Sequence, residues 1–276
     1  MKTSIKPLFP IYQVDAFADA PFRGNPAGVC FLMGHQPSVW MQRMAREMNL
    51  SETAFFMQTE RGFRLRWFTP RMEVDLCGHA TLATAHIIWQ SELVGRDEVI
   101  SFETRSGLLM AKYLNGWIEL DFPAKMPLPW LVPAGLSEAL GASPASCFRS
   151  EADCLLSFGS EAEIYALRPD FGALAQVDVR AVIVTAPAQA EGIDFVSRFF
   201  APKMGVNEDP VTGSAHCVLG PFWADKLGKT NLVGYQASER GGIVKVDLLD
   251  KERVALRGKA VTIFQGVITQ DGVSLS

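Results

Sequence analysis

The chain has 276 residues, 48% hydrophobic and 20% charged, with a net charge of −4. That length suits one large domain or two of ordinary size, and the scattered Lys and Arg argue against nucleic acid or an anionic membrane surface as the main partner. The start MKTSIKPLFPIY lacks an apolar export core, no apolar run approaches the ~18 residues of a membrane span, and the five scattered cysteines read as reduced thiols of a cytoplasmic protein. Residues 11–17 alternate as a first strand, 21–26 are dense in turn residues, and 27–32 read as a second strand. Pro37-Ser38 opens a helix with Ser38 as N-cap and Trp40, Met41, Met44 and Met48 at near-helical spacing, ending near Asn49. Strands are expected over 50–57 and 63–68, where Thr69-Pro70 stops the second. Residues 78–90 are apolar almost all the way round, which marks a buried helix inside a sheet that wraps it. Strands over 99–104, 108–113 and 117–122 follow, with Ser106-Gly107 and Asn115-Gly116 as hairpin turns. The prolines Pro123, Pro127, Pro129 and Pro133 mark a linker. Beyond it come a short helix over 136–140, strands over 150–157, 164–167 and 181–185, and a helix over 169–175. A last strand is expected over 260–269, and the residues leave open whether it crosses back to the first half.

The chain repeats itself. Arg66, Phe68, Pro70, Met72 and Val74 recur 132 residues on (66 to 198) as Arg198, Phe200, Pro202, Met204 and Val206. After three inserted residues, Gly78-His79-Ala80 aligns with Gly213-Ser214-Ala215 at a spacing of 135 (78 to 213). Arg105-Ser106-Gly107 likewise matches Arg240-Gly241-Gly242. A repeat this long signals two homologous halves and not a solenoid, whose period is about 20–50 residues. We divide them as residues 1–126 and 127–262, with the C-terminal strand, 263–276, a candidate to return to the first half. The fold class is α+β, with two pseudo-symmetric halves. The repeated turns are then expected to face one another across an interdomain cleft, a common place for ligands. Each turn leads into a buried helix whose first N–H groups and positive dipole end favour a carboxylate or an anionic intermediate. Gly78 and Gly213 let the backbone approach a ligand, and His79 and Ser214 follow in the first helical turn.

Three ionisable groups near these turns have the chemistry for proton transfer. Glu52 lies at a helix-to-strand junction in an apolar setting, where partial burial raises a carboxyl pKa above its usual ~4.3. Its plain alternative is a carboxylate bonded to turn backbone. His79 titrates near physiological pH, or is a satisfied helix-start histidine. Asp209 precedes the second helix, where Asp-Pro is also a turn former. No metal is expected: Cys77-Gly78-His79 and His216-Cys217 carry ligand-type residues, but there is no C-x-x-C and no H-E-x-x-H. No nucleotide-binding fingerprint and no G-x-S-x-G occur, so neither a nucleotide cofactor nor a serine hydrolase is indicated.

Several motifs match one family: Val14-Asp15-Ala16-Phe17 with Gly24-Asn25-Pro26-Ala27, and Asn49-Leu50-Ser51-Glu52-Thr53-Ala54-Phe55. Trp67-Phe68-Thr69-Pro70, Cys77-Gly78-His79-Ala80-Thr81 and Glu208-Asp209-Pro210-Val211-Thr212-Gly213-Ser214-Ala215-His216 continue the match. On these residues the chain resembles the phenazine-biosynthesis PhzF-like proteins of the diaminopimelate-epimerase-like superfamily. The resemblance implies two halves, each a mostly antiparallel sheet wrapped round a central helix, with the site between them. It also implies an isomerase without cofactors, and a homodimer. By motif, Glu52 would move a proton between carbon atoms, with His79, Asp209 and Ser214 as further site residues and Gly78 and Gly213 as backbone donors.

The expected function is thus a cofactor-independent isomerase of a small carboxylated metabolite, with Glu52, His79 and Asp209 catalytic and Gly78, Gly213 and Ser214 binding substrate. One rival is a two-cysteine epimerase or racemase using Cys77, whose counterpart at the 132-residue spacing is Asp209 and not a thiol. The other is a metabolite-binding protein that has lost the chemistry.

Overall fold

The computed structural model describes residues 9–268. These divide into two compact units. Of the described residues, Pro26–Leu120 with 9–21 and 259–268 build the first; Asp121–Gly258, with the short segment Phe22–Asn25, builds the second.

The first unit runs β1 (Phe9–Ala16), β2 (Asn25–Phe31), α1 (Ser38–Met48), β3 (Glu52–Thr59), β4 (Gly62–Phe68), β5 (Glu73–Val74), α2 (Gly78–Gln90), β6 (Ile100–Thr104), β7 (Gly107–Leu114) and β8 (Trp117–Pro123). The second runs β9 (Leu128–Pro129), α3 (Leu136–Leu140), β10 (Ser146–Ser150), β11 (Asp153–Ser157), α4 (Glu161–Ala166), α5 (Phe171–Leu174), β12 (Ala181–Pro187), β13 (Phe195–Ala201), β14 (Val206–Glu208), α6 (Gly213–Leu227), β15 (Asn231–Gln236), β16 (Gly242–Leu248) and β17 (Arg253–Gly258). The last strand, β18 (Ala260–Ile268), belongs to the first unit.

Strand pairing repeats the sequence duplication. In the first unit the sheet order is β18, β1, β2, β3, β4, β6, β7, β8, with β2–β3 and β4–β6 parallel. In the second it is β9, β10, β11, β12, β13, β15, β16, β17, with β11–β12 and β13–β15 parallel. A parallel pair needs a crossover, and helices supply each one. α1 links β2 to β3 and α2 links β4 to β6; α4 and α5 link β11 to β12, and α6 links β13 to β15. β18 pairs antiparallel with β1 from Phe9↔Ile268 to Ala16↔Ala260, so the C-terminal strand does return to the first unit. The expected end of that strand at Thr269 lies outside the described residues.

The two crossover helices are buried as their apolar circumference demands. α2 buries residues on every side, among them Leu82, Ile87, Ile88 and Trp89, and packs against β1, β3 and β18. α6 buries Val218, Leu219, Phe222 and Trp223 and packs against β15, β16 and β17. Each such large apolar side chain contributes about 1.5–3 kcal/mol on burial. Pro221 within α6 has no N–H for the carbonyl of Cys217, and that carbonyl accepts the Lys125 N–H instead at 2.9 Å.

The duplication reaches side chains. In the first unit Arg66 makes a fork to Glu73 (2.7 and 2.8 Å) and stacks over Phe68 at 5.1 Å. In the second, Arg198 makes the same fork to Glu208 (2.8 and 2.8 Å) and stacks over Phe200 at 4.9 Å. The Arg66 hydrogen bond holds the Glu73 carboxyl below its usual pKa. These pairs pin the strand that precedes each crossover helix.

Four local expectations need correction. Ser38 is the first residue of α1, Pro37 takes the N-cap place, and the Ser38 hydroxyl accepts from Arg66 at 2.8 Å. The expected strand over 164–167 is helix α4, because Glu163 reaches back to accept from the Ser160 N–H (2.8 Å) and hydroxyl (2.9 Å) and nucleates a turn. The strand expected over 150–157 is shorter, β11 alone, because Ser150 ends β10 and the chain turns at Glu151 with φ 54°. The first hairpin turn is Arg105-Ser106, since Thr104 pairs with Gly107; Asn115-Gly116 turns as expected, both residues with positive φ.

Candidate active site

In the first unit, α1 ends on Asn49 in the left-handed region (φ 49°), a conformation Asn tolerates. The chain then reverses through Leu50-Ser51, and Glu52 becomes the first residue of β3, paired beside Ala27 of β2. Its side chain keeps 19% of its surface exposed. On the other side stands the start of α2, where Cys77 is the N-cap and His79 the second helical residue, both buried. The Cys77 side chain does not cap the helix, so the first α2 N–H groups have no side-chain acceptor from that position.

The structure brings Glu52 and His79 together. His79 Nε2 lies 3.4 Å from Glu52 Oε2. The approach is close enough for electrostatic attraction, but Nε2 makes no aligned hydrogen bond. His79 Nδ1 is 3.5 Å from Cys77 Sγ. Burial pulls the His79 pKa down to about 3, so the ring is neutral at neutral pH, with one N–H and one lone pair. The tautomer that suits both neighbours has Nε2–H facing the carboxylate and Nδ1 facing the Cys77 thiol. A neutral ring places no full positive charge beside the Glu52 carboxylate. Glu52, Cys77 and His79 also form a set of ligand-type groups within 4.8 Å of one another, which motif spacing did not disclose.

In the second unit, Asp209 lies between β14 and α6. The residue keeps part of its surface in solvent, while its carboxyl accepts from Asn25 Nδ2 at 2.9 Å and from the Thr212 hydroxyl. Burial raises its pKa to about 6, against the lowering effect of those two hydrogen bonds. Gln236 clamps the same loop, donating to the Asp209 carbonyl at 2.7 Å and accepting from the Thr212 N–H at 2.9 Å. Asn25 also donates to the Val211 carbonyl at 2.9 Å. Thr212 is the N-cap of α6, again without a side-chain cap, so the structural counterpart of Cys77 is Thr212 and not Asp209. Gly213 is buried, and Ser214 is exposed in the first turn. His216 is buried with Nδ1 2.9 Å from the Thr212 carbonyl, and burial takes its pKa down to about 4. Asn25 and Gln236 were not singled out as site residues; Asn25 stands in a turn-dense motif and Gln236 inside a strand, and neither position hints at a contact made so far along the chain.

A cavity of about 390 Å³ on the first unit, lined by Leu32, Met41, Phe55, Met57, Arg64 and Arg105 among others, contains none of Glu52, Cys77 and His79. It is a different place from the candidate site.

A sheet of this order wrapped round a buried crossover helix, occurring twice, defines an epimerase-like fold. The chain belongs to the PhzC-PhzF family of phenazine biosynthesis-like proteins, whose profile matches residues 14–266. An uncharacterized isomerase of Halalkalibacterium halodurans is 50% identical over 257 residues, covering 93% of this chain and 97% of its own. The crystal structure of a PhzF-family phenazine biosynthesis protein from Enterococcus faecalis matches at a TM-score of 0.90 with 39% identity, over 95% of this chain and 100% of the other. A hydroxyproline epimerase from Agrobacterium vitis shares the fold at a TM-score of 0.64 with 11% identity, over 97% and 94% of the two chains. With relatives so named, the chain is an enzyme of the isomerase class. No helix among the described residues is long and apolar enough to cross a membrane.

Proposed function

We propose that this enzyme is a cofactor-independent isomerase that moves a proton between carbon atoms of a small carboxylated metabolite, with Glu52 as the general acid and base. The observation that carries the reading is the Glu52 carboxylate 3.4 Å from Nε2 of the neutral, buried His79, beside the start of α2, which the Cys77 side chain does not cap. Glu52 takes the proton from a carbon next to the substrate carboxyl and returns it at another position. His79 holds Glu52 in orientation. The N–H groups at Gly78 stabilise the negative charge that develops. Asp209, Gly213 and Ser214 enter the same proposal through the repeated motif. Asp209 orders the start of α6, and the Gly213 and Ser214 end of that helix anchors carboxylate oxygens. A homodimer belongs to the reading as well, and sedimentation equilibrium tests it.

The test is deuterium wash-in. Candidate carboxylated metabolites are incubated with enzyme in deuterated water and followed by mass spectrometry. Deuterium is expected at carbon, with Glu52→Gln slowing its entry by about 10²–10⁴-fold, the usual worth of a positioned acid–base group. Undiminished exchange in Glu52→Gln would refute the assignment. The two-thiol epimerase reading meets a physical objection in Thr212, since a hydroxyl with its hydrogen bond committed to Asp209 is no substitute for a second thiol. Binding of metabolites with no exchange at all would instead favour a protein that has lost the chemistry.

A further inference from the structure

Three kinds of ligand atom meet in the first unit: a Glu52 carboxylate oxygen, the Cys77 sulfur and a His79 ring nitrogen, all within 4.8 Å of one another. His79 is buried, and its Nε2 has no aligned hydrogen-bond partner. We propose that this cluster binds a thiophilic divalent cation of the zinc class, and that the bound ion inhibits the enzyme. The inhibitory half rests on the reading of Glu52 as the proton carrier, because a coordinated cation draws on the carboxylate's charge and lowers its basicity.

The geometry supplies part of a metal site: the Glu52 carboxylate stands beside Nε2 of His79 and the Cys77 sulfur beside Nδ1, and the three ligand atoms lie within 4.8 Å, looser than a filled site. Tetrahedral zinc, with bonds of about 2.0–2.3 Å, sets its ligand atoms roughly 3.3–3.7 Å apart. Here carboxylate oxygen and imidazole nitrogen are 3.4 Å apart, and sulfur and imidazole nitrogen 3.5 Å. The two distances involve opposite ring nitrogens, so one nitrogen takes the ion and side-chain rotation brings in the third ligand. Three protein ligands leave a fourth position for water or for a substrate carboxylate. Thiolate and imidazole together favour zinc-like ions over magnesium or calcium, which prefer all-oxygen sites. On binding, the Cys77 thiol gives its proton to solvent and the sulfur donates a lone pair to the ion. Nothing is oxidised or reduced.

Cobalt(II) is the probe, since it takes zinc's place and is coloured. Metal-free protein titrated with Co²⁺ is expected to develop a near-ultraviolet sulfur-to-cobalt charge-transfer band that saturates at one equivalent and is displaced by Zn²⁺. Cys77→Ser should lose the band, and His79→Gln should weaken binding at least tenfold, with circular dichroism confirming that both variants fold. No band in the wild-type protein overturns the proposal. A band that survives Cys77→Ser assigns the ion to another thiol, the Cys147–Cys154 pair with sulfurs 3.5 Å apart being the obvious competitor, and also overturns it. This readout needs no turnover, so it stands or falls apart from the isomerase reading. Zn²⁺ is then added to the deuterium exchange assay. Exchange that stops at one equivalent supports inhibition, and exchange that continues with the site filled refutes it.

Discussion

His79 and Asp209 each stand beside the start of a buried helix, and burial displaces their titrations in opposite directions. His79 holds its proton only below about 3, while Asp209 takes one up already at about 6. For Asp209 this has a functional consequence. Ionised, it offers acceptors to both Asn25 and the Thr212 hydroxyl. Protonated on the oxygen that faces Thr212, it donates to the Thr212 hydroxyl oxygen instead, which reverses that bond and removes the anionic charge that both donors faced. Because the folded pKa is raised, the change falls as pH drops through about 6 and not through the ordinary carboxylate range near 4. On the proposed role of Asp209, kcat/KM should decline by about tenfold per pH unit below about 6. Asp209→Asn should start from a lower plateau and lack that limb. A pH–rate profile unchanged in Asp209→Asn would mean that another group titrates there. The approach of Glu52 to His79 was legible only as a motif match. Separate signals for a carboxylate at a helix exit and a histidine at a helix start do not say that they meet, because the contact depends on α2 packing against β3.

At the level of elements, α2 and α6 carry histidines into places where charge is costly. In the folded protein His79 and His216 accept protons only near about 3 and about 4, whereas an unfolded chain accepts them near ~6.5. Unfolding on the acid side therefore takes up two protons, and stability falls as pH falls. Asp209 works the other way between about 6 and 3.8, since the folded state then holds a proton that the unfolded chain releases. The net uptake from these three is about one proton, a loss of about 1.4 kcal/mol per pH unit on acidification. His86, pushed down by burial, and Glu73, held down by Arg66, add in the same direction. His216→Gln removes one proton from the balance, so the slope should ease by about 1.4 kcal/mol per pH unit, read from urea unfolding between about pH 4.5 and 6. An unchanged slope would place the acid sensitivity in other groups. Long elements with one pervasive character were readable in advance, and α2 is the clearest because its apolar residues leave no polar face. Short elements were not. In α4 the buried Ile164 beside Tyr165 reads as strand, and the four residues that decide for helix, Ser160 to Glu163, act through one carboxylate turned back on the chain.

Across the whole molecule, the duplication was legible because it survives in residues with a job, such as the Arg66 and Arg198 forks that brace the strands before the two crossover helices. The place of β18 was not, since nothing local marks a strand whose partner lies more than two hundred residues away. The pairing order explains why the chain must return. In the second unit the two-residue β9 lies beside β10, and in the first unit the corresponding place beside β1 is filled by β18. β18 also packs against α2, so it both closes a strand edge and covers the helix that carries His79. A chain ending at Lys259 would leave the β1 edge with unpaired N–H and C=O groups and uncover apolar surface of α2. Hydrogen exchange read by mass spectrometry should then show protection lost across β1, β3 and α2, with β12, β13 and β15 retaining theirs, because none of their pairings involves β18. Self-association through the opened edge should appear in size-exclusion chromatography. Full-length protection of α2 in the shortened chain would show that β18 is dispensable to the first unit, and that the long return of the chain serves something other than its fold.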